Sequence, residues 1–135
     1  MARILVDSNV LLDIMTQDKN WFHWSSEVLD FYSENNILGI NAVIYGEVSI
    51  RFEKIEDLEK SLPAELIQRF SLPWEAAFLA GKCFALYRQR GGSKLHTLPD
   101  FFIGAHAAIA GMTLMTRDAA RYRTYFPALK LIAPE

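Results

Sequence analysis

Residues 3–13 read RILVDSNVLLD, a short apolar run followed by polar residues and a second apolar pattern. A continuous apolar run of this length is typical of a strand buried on both faces of a parallel sheet. Asp7 then lies at the carboxyl end of that strand, where open α/β sheets bind their ligands. Ser8 and Asn9 are residue types that cap helices, so the pattern predicts a turn and a helix beginning near Val10.

A second acid interrupts an apolar segment further along the chain. Glu47 follows a predicted strand, Ile37–Ile40, and on a helix it shares a face with Val43 and Ile50. A glutamate is rarely buried among apolar residues unless it is paired or bound to a metal. The position of Glu47 therefore favours a functional role over a structural one.

Two aspartates occur near the starts of predicted helices. Asp100 lies in the first turn of a helix that Thr97, Pro99 and Gly111 delimit. Asp118 comes just after a short predicted strand and before a short helix. Both have a structural alternative, because the helix dipole favours a negative charge in the first turn.

Asp7, Glu47, Asp100 and Asp118 are more informative as a set than singly. If the strands are parallel neighbours, all four side chains can converge, and like charges 4 Å apart repel by about 4 kcal/mol at an effective dielectric near 20. A hard divalent cation removes this conflict, and all-oxygen ligands suit Mg²⁺ or Mn²⁺. No soft-metal site competes, because Cys83 is the only cysteine and the three histidines are widely spaced. His106 is expected to be a packed helix residue rather than a base.

The four acids, in their order along the chain, and the residues beside them resemble those of a PIN-domain nuclease. The residues that carry the resemblance are Asp7-Ser8-Asn9, Glu47, Asp100 and Thr116-Arg117-Asp118. The small size, the helix start Leu98-Pro99-Asp100 and a closing strand Leu129–Ile132 look most like the toxin ribonucleases of VapBC toxin–antitoxin systems. The resemblance runs from about Arg3 to Ala133, and Ser8 stands where such proteins commonly have threonine.

This resemblance implies a fold and a reaction. The fold is α/β, a three-layer α/β/α sandwich with a central, mostly parallel sheet, in a single domain of residues 1–135. The reaction is hydrolysis of RNA phosphodiester bonds with one or two Mg²⁺ or Mn²⁺ ions, which activate water and stabilise the in-line displacement. The implied metal ligands and catalytic residues are Asp7, Asp100 and Asp118, with Glu47 close by, and the residues expected to orient them are Asn9, Ser8 and Thr116.

The resemblance also implies partners: an RNA substrate, a cognate antitoxin protein and a second copy in a homodimer. Candidate contacts to RNA phosphates are five basic residues, Arg88, Arg90, Lys94, Arg117 and Arg121. A solvated charged face is the alternative for the first three. The net charge of −2 and the pI near 5.9 are not those of a generally basic nucleic-acid binder.

Bulk properties bound these expectations. The 135 residues, 51% of them hydrophobic, are enough for one domain with a real core. No charged leader with a long apolar run opens the chain, so the cytoplasm is the expected location, and no segment approaches the ~20 apolar residues that span a bilayer. Apolar periodicity predicts helices over Trp21–Asn35, Ile55–Leu62, Ala64–Phe70 and Pro73–Arg90. Most aromatic residues of the first of these helices are expected to lie in the core.

Two other functions remain open at this level. A haloacid-dehalogenase-like phosphatase also has an aspartate after its first strand, but its chemistry needs a second acid two residues on, where this chain has Asn9. A PIN-like fold without catalysis, acting as a binding or assembly module, is the other alternative. The presence of all four acids argues against it.

Overall fold

In the computed structural model, which describes residues 2–92 and 97–135, five strands form one central sheet. The strands are β1 (Arg3–Val6), β2 (Ile37–Ile40), β3 (Gln68–Arg69), β4 (Thr113–Met115) and β5 (Leu131–Ile132). Their spatial order is β3-β2-β1-β4-β5, and every neighbouring pair is parallel. The predicted strand Ile37–Ile40 is confirmed, whereas the closing strand is shorter than the predicted Leu129–Ile132.

Helices flank this sheet, which confirms the predicted three-layer α/β/α sandwich with a mostly parallel sheet. Within the described residues the helices are α1 (Ser8–Met15), α2 (Phe22–Ser33), α3 (Ala42–Ser49), α4 (Ile55–Ser61), α5 (Trp74–Gln89), α6 (Leu98–Ala110) and α7 (Ala120–Arg123). None of them is long and apolar enough to cross a membrane.

Strand β1 lies at the centre of the sheet, where its apolar side chains are buried on both faces. It pairs with β2 on one side and β4 on the other, and Leu5 and Val6 are fully buried. Since the strands are parallel, their carboxyl ends share one edge of the sheet. Asp7, Asn41 and Thr116 follow β1, β2 and β4 directly, so all three lie at this carboxyl edge. The sheet order reverses between β1 and β4, where open α/β sheets form their binding crevice.

Helix α6 carries the boundaries that the sequence predicts. It begins at Leu98 after Thr97 and ends at Gly111, whose φ of 66° is the left-handed conformation that glycine adopts readily. His106 is buried on this helix, 3.0 Å from the side-chain amide of Asn41, as a packed residue. Burial lowers the pKa of His106, with a smaller contribution from Arg3. The contact with Asn41 ties α6 to the junction of β2 and α3.

One predicted helix is wrong. Residues 64–70 form turns and then β3, whose Gln68 and Arg69 pair with Gly39 and Ile40 of β2. The N–H of Phe70 continues this pairing by donating to the carbonyl of Ile40 at 2.7 Å. Apolar spacing in so short a segment does not distinguish strand from helix, and pairing with an exposed sheet edge decides between them.

The aromatic residues of α2 differ from the expectation of a mainly buried set. Trp24 and Tyr32 are partly buried against the core, whereas Phe31 is 68% exposed. Ser25 is the buried residue of α2, and the large buried side chains come instead from strands β1, β2 and β4 and from the other helices. A helix on the outside of a three-layer fold needs only one apolar face, so the rest of its aromatics remain accessible.

Gly104→Ala tests how tightly α6 packs. A Cβ at Gly104 would lie 2.5 Å from the Phe126 ring, so we expect a loss of about 1–3 kcal/mol in the free energy of unfolding, measured by urea denaturation. Gly81→Ala on α5 is the matched control, because its Cβ would meet open space. The free energy of unfolding of Gly81→Ala should rise by up to about 1 kcal/mol, because alanine has a higher helix propensity than glycine. Equal effects of both substitutions would contradict the close packing.

Candidate active site

Asp7 is the most buried of the four acids, with 3% of its surface exposed. Its Oδ2 accepts hydrogen bonds from the hydroxyls of Tyr122 and Thr116, both at 2.8 Å, and a longer one of 3.4 Å from the Asn9 amide. Within the described residues, its Oδ1 accepts only the backbone N–H of Ser8, at 2.8 Å. The protein therefore saturates one oxygen of Asp7 and leaves the other with capacity for a ligand.

The bond from Ser8 to Asp7 also corrects the predicted start of α1. The helix begins at Ser8 rather than near Val10, and Asp7 itself is the N-cap. The predicted caps have other partners: the Ser8 hydroxyl donates to Glu47, and the Asn9 amide lies between Asp7 and Thr116. Because the cap and the candidate ligand are one residue, the start of α1 is built into the site.

The electrostatics of Asp7 follow from its burial. Removal from water raises its pKa above the ordinary value, and the negative charge of Asp100 raises it further. The hydrogen bonds from Tyr122, Thr116 and Ser8 lower the pKa of Asp7 but do not cancel the effect of burial. An ionised Asp7 therefore destabilises the fold, and a nearby cation would relieve this destabilisation.

Glu47 projects from α3 towards the same edge and is half-buried. Its Oε1 accepts a hydrogen bond of 2.9 Å from the Ser8 hydroxyl. Burial raises the pKa of Glu47; the charges of Asp7 and Asp100 add to the rise, and the Ser8 bond and Arg121 oppose it. Glu47 therefore lies within electrostatic reach of the other acids while Ser8 fixes one of its oxygens.

The predicted apolar face around Glu47 is only partly present. Ile50 lies beyond the end of α3 and is 83% exposed, so its assignment to a buried face is wrong. The fully buried residues of α3 are Ile44 and Val48. Glu47 is therefore at the border of the buried face, where a carboxylate keeps some contact with solvent.

Asp100 and Asp118 are joined by one guanidinium. Arg121 Nε donates to Asp118 Oδ2 at 2.7 Å, and its Nη1 lies 3.4 Å from Asp100 Oδ1. Asp100 is buried, and its Oδ2 accepts the backbone N–H of Thr97 at 3.0 Å and the Thr97 hydroxyl at 3.2 Å. Asp118 is more accessible, and its backbone N–H donates to Thr116 Oγ1 at 3.1 Å. The two acids thus belong to the same edge as Asp7.

The predicted convergence of the acids is incomplete. In residues 2–92 and 97–135, no three His, Cys, Asp or Glu side chains are close enough to form a metal-binding group. The Ser8 hydroxyl bonds to Glu47, and Arg121 bridges Asp100 and Asp118. The donor set still fits a hard divalent cation in its chemistry: all donors are carboxylates, and in Asp7 and Asp100 protein donors hold mainly one oxygen.

A fifth acid, Asp13, is buried near this edge and holds the loop between β4 and α7. Its Oδ2 accepts hydrogen bonds from Arg117 Nε and from the Ser25 hydroxyl, both at 2.8 Å. The Arg117 guanidinium also lies over the Trp21 ring, 5.6 Å from its centroid. The backbone N–H of Arg117 donates to the side-chain oxygen of Asn9 at 3.2 Å. Arg117 therefore orders the loop that carries Thr116 and Asp118.

The other candidate phosphate contacts lie elsewhere. Arg88 is on the last turn of α5, with its guanidinium over the Phe84 ring, and Arg90 follows the end of that helix. Neither forms an ion pair with the four acids in the described part of the chain. Lys94 lies outside the described residues. The structure thus brings Arg117 and Arg121, but not Arg88 or Arg90, into contact with the edge.

Sequence reasoning missed two residues of this site. Asp13 interrupts the apolar run of α1, which is the same signal that identifies Glu47, so its burial was predictable. Tyr122 is fully buried and donates to Asp7 from 115 residues away. Burial and the charge of Asp7 raise the pKa of Tyr122 well above its ordinary value. The local sequence carries no signal for this contact, because only the folded chain brings Tyr122 of α7 to the residue that follows β1.

The fold belongs to a known family of proteins. The PIN domain family model matches residues 4–127, and the chain therefore belongs to the PIN domain family. This membership leaves the phosphatase alternative without support. No curated protein matches the sequence.

Several solved structures have a similar fold. VapBC2 from Rickettsia felis, bound to a DNA fragment from its promoter, has a TM-score of 0.72 and 17% identity, covering 97% of this chain and 98% of that one. VapBC-1 from nontypeable Haemophilus influenzae has a TM-score of 0.73 and 14% identity, covering 97% of both chains. FitAcB from Neisseria gonorrhoeae has a TM-score of 0.70 and 16% identity, covering 96% of both. At these identities the likeness establishes the fold.

Asp7→Asn tests the electrostatic cost at the site. The pKa of Asp7 is higher in the folded protein than the ordinary value of 3.8, so at pH values between the two the folded protein binds more protons at Asp7 than the unfolded chain does. The free energy of unfolding therefore falls as pH rises through this range. At pH 7 in chelator we expect Asp7→Asn to melt about 3 °C above the wild type, with the difference vanishing below pH 4. Calorimetric scans at both pH values measure the difference in melting temperature. A lower melting temperature for Asp7→Asn than for the wild type at pH 7 would contradict a raised pKa for Asp7.

Asp13→Asn is the matched control, since Asp13 is equally buried but has a guanidinium partner. It should lower the free energy of unfolding by about 1–2 kcal/mol, a value reduced from that of a fully buried pair because the Arg117 side chain is 33% exposed. A rise in stability for Asp7→Asn together with a fall for Asp13→Asn distinguishes a carboxylate without a positive partner from one in an ion pair.

Proposed function

We propose that this protein is a Mg²⁺- or Mn²⁺-dependent endoribonuclease and the toxin of a type II toxin–antitoxin pair. The observation that carries the proposal is the buried carboxylate of Asp7 at the carboxyl edge of a PIN-family sheet, with the charges of Glu47 and Asp100 close enough to act on it. A binding module has no need for buried acids with raised pKa values, whereas perturbed acids at a cleft are characteristic of catalytic sites.

In this proposal Asp7, Asp100 and Asp118 hold the metal, and Glu47 lies beside it. A bound divalent ion supplies a water of lowered pKa and a positive charge for the in-line displacement at phosphorus. Tyr122, Thr116 and Ser8 hold Asp7 in one orientation through their hydrogen bonds. The chain thereby fixes the ligand side of the site before substrate arrives, which reduces reorganisation during the reaction.

Glu47 is suited to a different task. Its Oε1 is held by Ser8, while Oε2 accepts no hydrogen bond from the described residues and remains available to solvent or substrate. The raised pKa of Glu47 brings its proton affinity nearer to neutral pH than that of an ordinary glutamate. Glu47 is therefore proposed to accept the proton of the attacking water.

Asp7→Asn and Asp100→Asn test the catalytic proposal. On a panel of structured RNAs with Mn²⁺, each substitution should reduce the cleavage rate by about 100-fold or more, since a metal ligand contributes several kcal/mol of transition-state stabilisation. Chelator should abolish cleavage by the wild type. Asp57→Asn, an exposed acid on α4, is the matched control and should cleave at the wild-type rate.

Three outcomes separate the alternatives. Cleavage that survives both substitutions and chelator would refute the metal site. A folded wild type that cleaves no RNA and binds no Mn²⁺ would favour the non-catalytic binding module. Equal loss in Asp57→Asn would point to a general electrostatic effect rather than to the proposed ligands.

The antitoxin part of the proposal rests on a groove away from the acids. A cavity of about 810 Å³ lies between α1, α2, the end of α4 and β2. Its lining is largely apolar, and Leu66 at its rim is 69% exposed. The similar structures from Rickettsia felis and Haemophilus influenzae are of VapBC complexes. A segment of a cognate antitoxin is the proposed occupant, held by burial of its apolar side chains.

Leu66→Glu tests this groove in co-expression with the cognate antitoxin. We expect the variant to retain less than about a tenth of the antitoxin that copurifies with the wild type, because the substitution places a charge in an apolar contact. Ile109→Glu, at an exposed position on α6, is the control and should copurify normally. Normal copurification with Leu66→Glu would remove the groove from the interface.

Further parts of the proposal concern assembly and location. We propose one domain over residues 1–135 and a homodimer, for which Trp74 and Phe78 on successive turns of α5, 88% and 69% exposed, offer an apolar face. The cytoplasm, where RNA is accessible, is the proposed location. Arg117, Arg121, Arg88, Arg90 and Lys94 remain proposed contacts to RNA phosphates.

A further inference from the structure

Arg121 occupies the position that the acidic edge would offer to a cation. Its guanidinium bridges Asp118, at 2.7 Å, and Asp100, at 3.4 Å. The charges of Asp7 and Glu47 also act on it. One arginine side chain, from the four-residue helix α7, thus contacts two of the acids and acts electrostatically on the other two.

The oxygens that Arg121 contacts are those with the fewest other donors. Asp100 Oδ2 is held by the backbone and hydroxyl of Thr97, so Oδ1 is the oxygen left for a ligand, and this is the one that faces Arg121. Asp118 Oδ2 bonds to Arg121 Nε and, in the described residues, to no other donor. Arg121 therefore contacts the Asp100 oxygen that is left for a metal ion and one of the two Asp118 oxygens.

The neighbouring basic residue does not share this role. Arg117 is directed at Asp13 through its Nε and lies over the Trp21 ring. Arg123, on the same helix as Arg121, is exposed and forms no ion pair with the described acids. The compensation of Asp100 and Asp118 thus depends on Arg121 in particular, and not on a general basic surface.

We propose that Arg121 is the protein's own counter-cation at the acidic edge and that it competes with a divalent ion for Asp100 and Asp118. This inference rests on the proposed metal-dependent function and adds a residue that sets the affinity of the site. Without metal, Arg121 screens the repulsion among the acids. When metal binds, the guanidinium gives up these carboxylates and moves towards solvent, which its 44% exposed side chain permits.

The competition has a physical basis in charge and geometry. The contact to Asp100 is long, and a partly exposed ion pair is weak because solvent screens it. A divalent ion has twice the charge of a guanidinium and approaches carboxylate oxygens more closely. Arg121 can therefore be displaced, but each displacement lowers the apparent metal affinity by the free energy of its ion pairs.

The test is Mn²⁺ binding by the full chain, measured by isothermal titration calorimetry and by the loss of the free Mn²⁺ electron paramagnetic resonance signal, without RNA. We expect Arg121→Gln to bind Mn²⁺ about five- to tenfold more tightly than the wild type. Arg121→Lys, which keeps the charge but loses the planar fork, should fall between them. Arg123→Gln removes the same charge from the same helix and should change the affinity by less than about twofold.

Thermal unfolding gives a second readout that also reports folding. In chelator, Arg121→Gln should melt at a lower temperature than the wild type, because Asp100 and Asp118 then lack their counter-cation. Saturating Mn²⁺ should raise its melting temperature more than it raises that of the wild type.

The outcomes distinguish this proposal from the one on which it rests. Tighter binding by Arg121→Gln alone supports the competition. Mn²⁺ binding that is unchanged in Arg121→Gln, or strengthened equally in Arg123→Gln, overturns the role of Arg121 and leaves the metal site intact. Absence of Mn²⁺ binding in both the wild type and Arg121→Gln overturns the metal site and this inference together.

Discussion

The burial of an ionisable carboxylate at the end of the central strand is the constraint on which the rest of the structure depends. Asp7 follows β1, which has neighbours on both sides, so its side chain is removed from water whatever the surface loops do. Such a group needs donors, and it takes them from a helix start, from Thr116 after β4 and from Tyr122 of α7. The bonds that satisfy one carboxylate therefore also join the two halves of the chain.

The burial of carboxylates also explains the positions of Arg117 and Arg121. Asp13 and Asp100 are buried to about the same extent as Asp7, and each faces an arginine from the segment after β4. Arg117 is turned towards the structural acid and Arg121 towards the candidate metal ligands. Among the described residues, Asp7 has hydroxyl and amide donors but no direct guanidinium partner. Under the proposed function, this division leaves the carboxylate of Asp7 for a bound cation to compensate.

Much of the fold was predictable because its signals are local. The apolar run before Asp7 predicts the central strand, and Thr97, Pro99 and Gly111 delimit α6 through capping and backbone preferences. The segment before Phe70 was not predictable as a strand, because its conformation depends on pairing with β2, which is distant in sequence. The exposure of Ile50 likewise depends on where α3 ends. Long-range pairing overrides apolar spacing in such short segments.

By itself, the sequence determined the class of the protein. Its patterns predict short strands that alternate with helices, and each acid follows a strand or lies on a helix beside one. These features are those of a PIN-family sheet with an acidic carboxyl edge. Only the tertiary structure decided which partner each acid takes. Tyr122 reaches Asp7, and Arg121 lies between Asp100 and Asp118, because sheet order brings distant segments together. Sequence spacing encodes faces and edges, whereas contacts across a sheet arise from its topology, which no local pattern contains.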